Sequence, residues 1–138
     1  SAEAVPHIVT DAEAALARVV GAGKIAISGY CFGGTVTWLA ACRSRFDAAI
    51  AYYGSDMCDY PDEAARCPTI CHVGDKDTAV PPEDVAMFQA KRPEVYWHIY
   101  PGVLHGFDNW TRSERYDAAA SKLARERTMA FLEEHVAS

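Results

Sequence analysis

Three residue types that together can carry out acyl transfer occur in order along the chain: Cys31, a pair of carboxylates at Asp75 and Asp77, and His105. A thiol attacks only as its thiolate, so it needs a base or a positive field beside it, and an orienting carboxylate makes a histidine that base. Cys31 carries the clearest local signal. It sits in Ser28-Gly29-Tyr30-Cys31-Phe32-Gly33-Gly34, after the apolar Ile25-Ala26-Ile27 and before the helix-compatible stretch Thr35–Cys42. Strand, Gly-x-Cys-x-Gly turn, helix is the order of a nucleophile elbow, with a thiol where a hydroxyl is usual. Gly29 and Gly33 are expected to let neighbouring backbone pass close without side-chain clashes. A helix beginning just after Cys31 aims its N–H groups and positive dipole end at the sulfur, which predicts a bias toward the thiolate.

The remaining elements follow from apolar runs and their punctuation. A helix is expected over Thr10–Val20, capped by Thr10 or Asp11 and stopped by Gly21 and Gly23. The first strand is placed at Lys24–Ser28 and the elbow helix at Phe32–Arg43. Ala48–Tyr53 is apolar without alternation, as in a strand covered on both faces. Ser55–Arg66 reads as a polar loop with one helical turn at Asp62–Arg66. A third strand at Thr69–Val73, a helix opened by Pro81-Pro82 and running to Lys91, a fourth strand at Val95–Tyr100 and a last helix over Tyr116–His135 complete the pattern. Strands separated by helix-length segments imply right-handed crossovers and a three-layer α/β fold on a mainly parallel sheet. In such sheets the chemistry lies beyond the carboxyl ends of the strands. Asp75 and Asp77 follow the third strand and His105 the fourth, so both fall where partners for Cys31 are needed.

Composition bounds what such a site can serve. With 138 residues, half of them hydrophobic, the chain has the material for a single core and is read as one domain over residues 1–138. A net charge of -6 without any basic run argues against nucleic acid or an anionic membrane as partner. No apolar stretch reaches the roughly 18 to 20 residues that cross a bilayer. Five cysteines at irregular spacing read as free thiols of a reducing, cytoplasmic compartment. Because Ser1 rather than Met opens the chain, the natural protein is expected to begin further upstream.

The other reactive-looking residues have plainer readings. Cys58, Cys67, Cys71 and His72 lack the spacing of a zinc site, and no metal or cofactor is expected. His98 is expected to pack on its strand, and His7 and His135 to be solvated. Asp56 and Asp59 follow the second strand and rival the later carboxylates as the orienting acid. Tyr52, Tyr53 and Trp110 are candidates for pocket walls or core. Two other function classes fit the same residues: an interaction domain that keeps the fold without catalysis, and a redox-sensing module built on Cys31.

At these residues the chain resembles the dienelactone hydrolase (carboxymethylenebutenolidase) family of α/β-hydrolases. The resemblance rests on Gly29-Tyr30-Cys31-Phe32-Gly33-Gly34, on the stretch from Gly74 to Pro81, on Tyr100, His105 and Phe107, on Tyr52-Tyr53-Gly54, and on Glu126-Arg127-Thr128 with Phe131-Leu132. It implies a triad of Cys31, Asp77 and His105, selecting Asp77 over Asp75. It also implies hydrolysis of a small ester or lactone through a thioester, with the Phe32 N–H in the oxyanion hole and Tyr53 and Trp110 against the substrate. The family's N-terminal half, with a second oxyanion donor, has no counterpart here. The chain is thus expected to be the C-terminal portion of the fold, with the Lys24–Ser28 strand at an edge covered by an upstream segment or a second copy. Where the family tends to place a substrate-gripping arginine shortly after the histidine, this chain has Asp108-Asn109-Trp110.

Overall fold

A computed structural model describes residues 23–136. The helix expected over Thr10–Val20 lies outside the described residues. Four strands, β1 (Ala26–Tyr30), β2 (Ala48–Tyr52), β3 (Thr69–Gly74) and β4 (Tyr96–Tyr100), form one parallel sheet in the order β1-β2-β3-β4. The helices are α1 (Phe32–Arg43), α2 (Pro82–Lys91) and α3 (Ala118–His135). Every residue of β2 and β3 is buried, as the unbroken apolar run of β2 requires of a strand covered on both faces, and in β3 the polar Thr69 and His72 are buried as well.

Side chains alternate across the sheet, and this alternation assigns the layers. On one face Trp38 of α1 meets Phe88 of α2 edge-on at 5.0 Å, and Phe88 meets Trp97 of β4 at 5.5 Å. Trp38 is fully buried, and its indole N–H donates to the Tyr60 carbonyl at 2.9 Å, pinning the loop after β2. On the other face Tyr52, His72 and Tyr100 point toward α3, where Thr128 bonds both Tyr52 and His72. The result is the expected three-layer α/β sandwich.

Several elements differ from the sequence reading, and three of the differences have a visible cause. β1 begins and ends two residues later than Lys24–Ser28, because pairing with β2 runs from Ala26↔Ala48 to Tyr30↔Tyr52 and carries the strand up to the nucleophile itself. Among the described residues β1 pairs only with β2, so it is an edge of this sheet. The single helical turn of the loop after β2 lies at Met57–Asp59, not at Asp62–Arg66, because buried Met57 packs under Gly54 and fixes the turn there. α3 begins at Ala118 rather than Tyr116, since Asp117 caps it by accepting from the Ala120 N–H at 2.9 Å.

Candidate active site

Cys31 occupies the one-residue step between β1 and α1 with φ 54° and ψ -122°, a conformation that costs a non-glycine residue roughly 1–3 kcal/mol. Three neighbours hold it there. Its N–H donates to the Tyr52 carbonyl at 3.0 Å, and its carbonyl accepts from Gly34 N–H at 2.9 Å and from Ser55 N–H at 3.3 Å. The turn closes tightly because a Cβ on Gly29 would lie 2.2 Å from the Gly33 carbonyl oxygen. The second close approach is at Gly34, where a Cβ would lie 2.8 Å from both Gly54 Cα and the Tyr52 carbonyl oxygen. A Cβ on Gly33 would meet nothing within 4 Å. The expectation for Gly33 is therefore corrected: the glycine facing β2 is the next one along. α1 starts without a side-chain cap, which leaves first-turn N–H donors, that of Phe32 included, without intrahelical acceptors.

Asp77 and His105 are joined. Asp77 Oδ2 lies 2.7 Å from His105 Nδ1, and the carboxylate is wholly buried while the imidazole is 17% exposed. Oδ1 of the same carboxylate accepts from the Ala79 and Val80 N–H groups, each at 2.8 Å, so loop backbone fixes its orientation. Asp75 has a different task. Its Oδ1 accepts from the Gly102 N–H at 2.7 Å and clamps the turn after β4 that leads into the histidine loop. Asp56 and Asp59 are exposed at the 3-10 turn, and the Asp56 N–H donates to Thr35 Oγ1.

Cys31 stands apart from this pair. Among the described residues no hydrogen bond joins its sulfur to His105. Burial pushes its thiol up from the ordinary value, the Asp77 carboxylate adds to the rise, and the Arg115 guanidinium opposes it. Desolvation of the half-buried sulfur thus works against the thiolate bias that the helix start predicts.

Tyr53 links the two halves of the site. Its backbone is at φ 38°, its ring is buried and packs edge-on against His105 at 5.0 Å and against Phe107 at 5.3 Å. It also lines, with Cys31, Tyr30, Gly106 and Trp110, a cavity of about 500 Å³. Trp110 stands at its rim, 77% exposed. Sequence reasoning missed two further wall residues, Arg112 and Arg115. Arg112 pairs with Glu114 at 3.0 Å, whereas Arg115 faces the cavity without an ion pair among the described residues. They lie in an irregular segment where no periodicity predicts direction; a cation just beyond the Asp108-Asn109-Trp110 stretch was the only available sign.

The remaining candidates go elsewhere. Among the described residues no three His, Cys, Asp or Glu side chains group closely enough to hold a metal ion. All five cysteines are free thiols. Cys71 is fully buried with its sulfur 3.9 Å from Met57 Sδ, and Cys58 and Cys67 are partly buried. His98 is half-buried and stacks on His72 at 5.2 Å, and His135 pairs with Glu134 at 3.8 Å. No helix of the described residues is long and apolar enough to cross a membrane.

Comparison with known proteins places the chain among relatives of one kind. The chain is 32% identical over 117 residues to a carboxymethylenebutenolidase of Pseudomonas putida, covering 80% of this chain and 48% of that protein. It is 32% identical over 115 residues to carboxymethylenebutenolidase 1 of Cupriavidus pinatubonensis, with the same coverages. The chain therefore spans about half the length of the curated relatives it matches. Two solved structures share the fold: an esterase of Pyrococcus furiosus (TM-score 0.73, 13% identity, 93% of this chain and 62% of that one) and a dienelactone hydrolase-like phosphotriesterase from metagenomic libraries (TM-score 0.68, 19% identity, 83% and 53%). The profile of the dienelactone hydrolase family matches residues 2–136, nearly the whole sequence. The chain belongs to the dienelactone hydrolase family.

Proposed function

We propose that this chain hydrolyses small esters or lactones with Cys31 as nucleophile, His105 as general base and acid, and Asp77 as the group that orients the imidazole. The observation that carries this reading is the buried Asp77 carboxylate 2.7 Å from His105 Nδ1, with the strained Cys31 at the end of β1 near enough for that carboxylate to act on its thiol. With Nδ1–H committed to Asp77, Nε2 is the nitrogen left to act as base. Because burial and Asp77 raise the thiol, the proton in this reading leaves for His105 Nε2 as the sulfur attacks. The S–C bond forms, and the Phe32 N–H receives the carbonyl oxygen as it becomes negative. His105 returns the proton to the departing alkoxide, leaving a thioester on Cys31. Water, deprotonated by His105, cleaves that thioester, releases the acid and restores the thiol.

Cavity and charge narrow the substrate class. About 500 Å³ suits a small molecule, and Arg115 offers an anionic substituent a cation beside the reacting sulfur. The edge of β1 that is unpaired among the described residues is where an upstream segment or a second copy would add a strand. Light scattering tests that arrangement: a stable monomer of the 138-residue chain with an unpaired edge contradicts the second-copy form.

Turnover of p-nitrophenyl acetate by the chain and by Cys31→Ala tests the reaction. Loss of all turnover above the buffer rate in the variant is expected. Equal rates would contradict a cysteine mechanism.

A further inference from the structure

The Arg127-Thr128 pair within the family-like Glu126–Leu132 stretch has no part in the chemistry above, yet both residues converge with three strand residues on one buried cluster. Thr128 Oγ1 lies 2.9 Å from Tyr52 Oη and 2.8 Å from His72 Nε2, and His72 Nδ1 lies 2.9 Å from Tyr100 Oη. Arg127 places its guanidinium 5.3 Å from the Tyr100 ring centroid. His72 is fully buried.

Proton bookkeeping gives this cluster a direction. The Arg127 cation beside Tyr100 makes its hydroxyl the stronger donor, which favours Tyr100 Oη giving its proton to the bond with His72 Nδ1. The imidazole proton is then on Nε2 and is donated to Thr128 Oγ1. His72 is therefore neutral, in agreement with burial and the nearby His98 and Arg127, which push it down to about 3.

The same three strand residues hold the loops of the site through their carbonyls. Tyr52 O accepts from the Cys31 N–H (3.0 Å), His72 O from the Tyr53 N–H (2.7 Å), and Tyr100 O from the Asp75 N–H (3.0 Å). The side chains meet behind the sheet while the carbonyls anchor the elbow, the tyrosine that packs on His105, and the turn that opens the acid loop. Phe107, two residues past His105, packs on the rings of Tyr52, Tyr53 and Tyr100 at 6.4, 5.3 and 5.2 Å.

We propose that Thr128, His72 and Tyr100 form a positioning junction that sets the elbow, acid loop and histidine loop in one frame, with His72 locked as the Nε2–H tautomer. The proposal rests on Cys31, Asp77 and His105 being the working site. None of the three junction residues touches substrate; they act through Cys31, Tyr53 and the acid loop.

Thr128→Val in the 138-residue chain removes the acceptor for His72 Nε2–H at nearly constant shape, and Thr128→Ser retains it. Three readings are taken: ester kcat and KM, the low-field proton resonance of His105 Nδ1–H, and the ring nitrogen shifts of His72. In the valine variant kcat is expected to fall roughly tenfold to a hundredfold with KM little changed, since small misplacements of reacting groups have costs of that order. The His105 resonance should shift or broaden, and the serine variant should restore both. A folded valine variant with wild-type kcat and an unchanged His105 resonance would overturn the proposal, as would His72 shifts showing the proton on Nδ1. If Thr128→Val does not fold, Tyr100→Phe removes the donor to Nδ1 at the other end and must show the same losses. If the wild-type chain lacks ester turnover, the proposed function fails but the His105 resonance still decides the junction: altered in valine and restored in serine supports it, unchanged overturns it.

Discussion

Asp77 presents one carboxylate oxygen to two loop N–H groups and the other to His105 Nδ1 at 2.7 Å, so a single buried side chain both closes its own loop and orients the imidazole. Asp77→Asn keeps a carbonyl oxygen for the loop donors but exchanges the acceptor facing His105 for an amide. Turnover is expected to fall by roughly 10³ to 10⁴. Asp56→Asn, altering an exposed carboxylate at the 3-10 turn, should leave the rate within about twofold. Steady-state kinetics on the two variants check this, and a large loss at Asp56 with little at Asp77 would move the orienting acid.

Alkylation of Cys31 reports its protonation directly. Burial and Asp77 raise the thiol above its ordinary value while Arg115 lowers it. The sign follows: a raised value means less thiolate at any pH below it, so iodoacetamide labelling should be slow at pH 7 and climb as pH rises beyond 9. Arg115→Gln removes the stabilising cation and should slow labelling further at a given pH. Asp77→Asn removes the opposing charge and should speed it. Peptide mapping after timed quenching separates Cys31 from the buried Cys42 and Cys71.

The elbow glycines separate by what a methyl group would meet. Gly33→Ala places Cβ in open space within the first turn of α1, where alanine is favoured over glycine by roughly 0.5–1 kcal/mol, so thermal stability should hold or rise. Gly29→Ala would set Cβ 2.2 Å from the Gly33 carbonyl oxygen, and Gly34→Ala 2.8 Å from Gly54 and Tyr52 backbone. Both should lower the melting temperature sharply. Calorimetry that found Gly33→Ala the most damaging of the three would contradict this geometry.

Much of this was readable from residue types in order. The bare apolar run Ala48–Tyr53 identifies a strand buried on both faces because no polar alternation is left to face water. Cys31 was legible because strand, glycine turn and helix allow few other local structures. The choice between Asp75 and Asp77 was not contained in spacing alone: both follow β3, and only the loop closure by Ala79 and Val80 N–H groups turns Asp77 inward while Gly102 takes Asp75. The opposition of burial and Asp77 to a Cys31 thiolate was not legible, because the helix end is visible in sequence while burial and the reach of Asp77 are not. Arg115 was missed for a similar reason, as it reaches the cavity from an irregular segment. Arg127 and Thr128 stood out only as matches to a motif, and their partners on β2, β3 and β4 are far from them in sequence.

The central claim, that Cys31 carries the acyl group, is tested most directly by trapping it. The chain is mixed with p-nitrophenyl acetate, quenched in acid within the first turnover, and its peptides are mapped by mass. An acetyl group on the Cys31 peptide, released by neutral hydroxylamine and accumulating further in Asp77→Asn where deacylation slows, is the predicted result. Turnover with no acyl group on Cys31 at any quench time, or acetyl on another residue whose removal abolishes turnover, would contradict it.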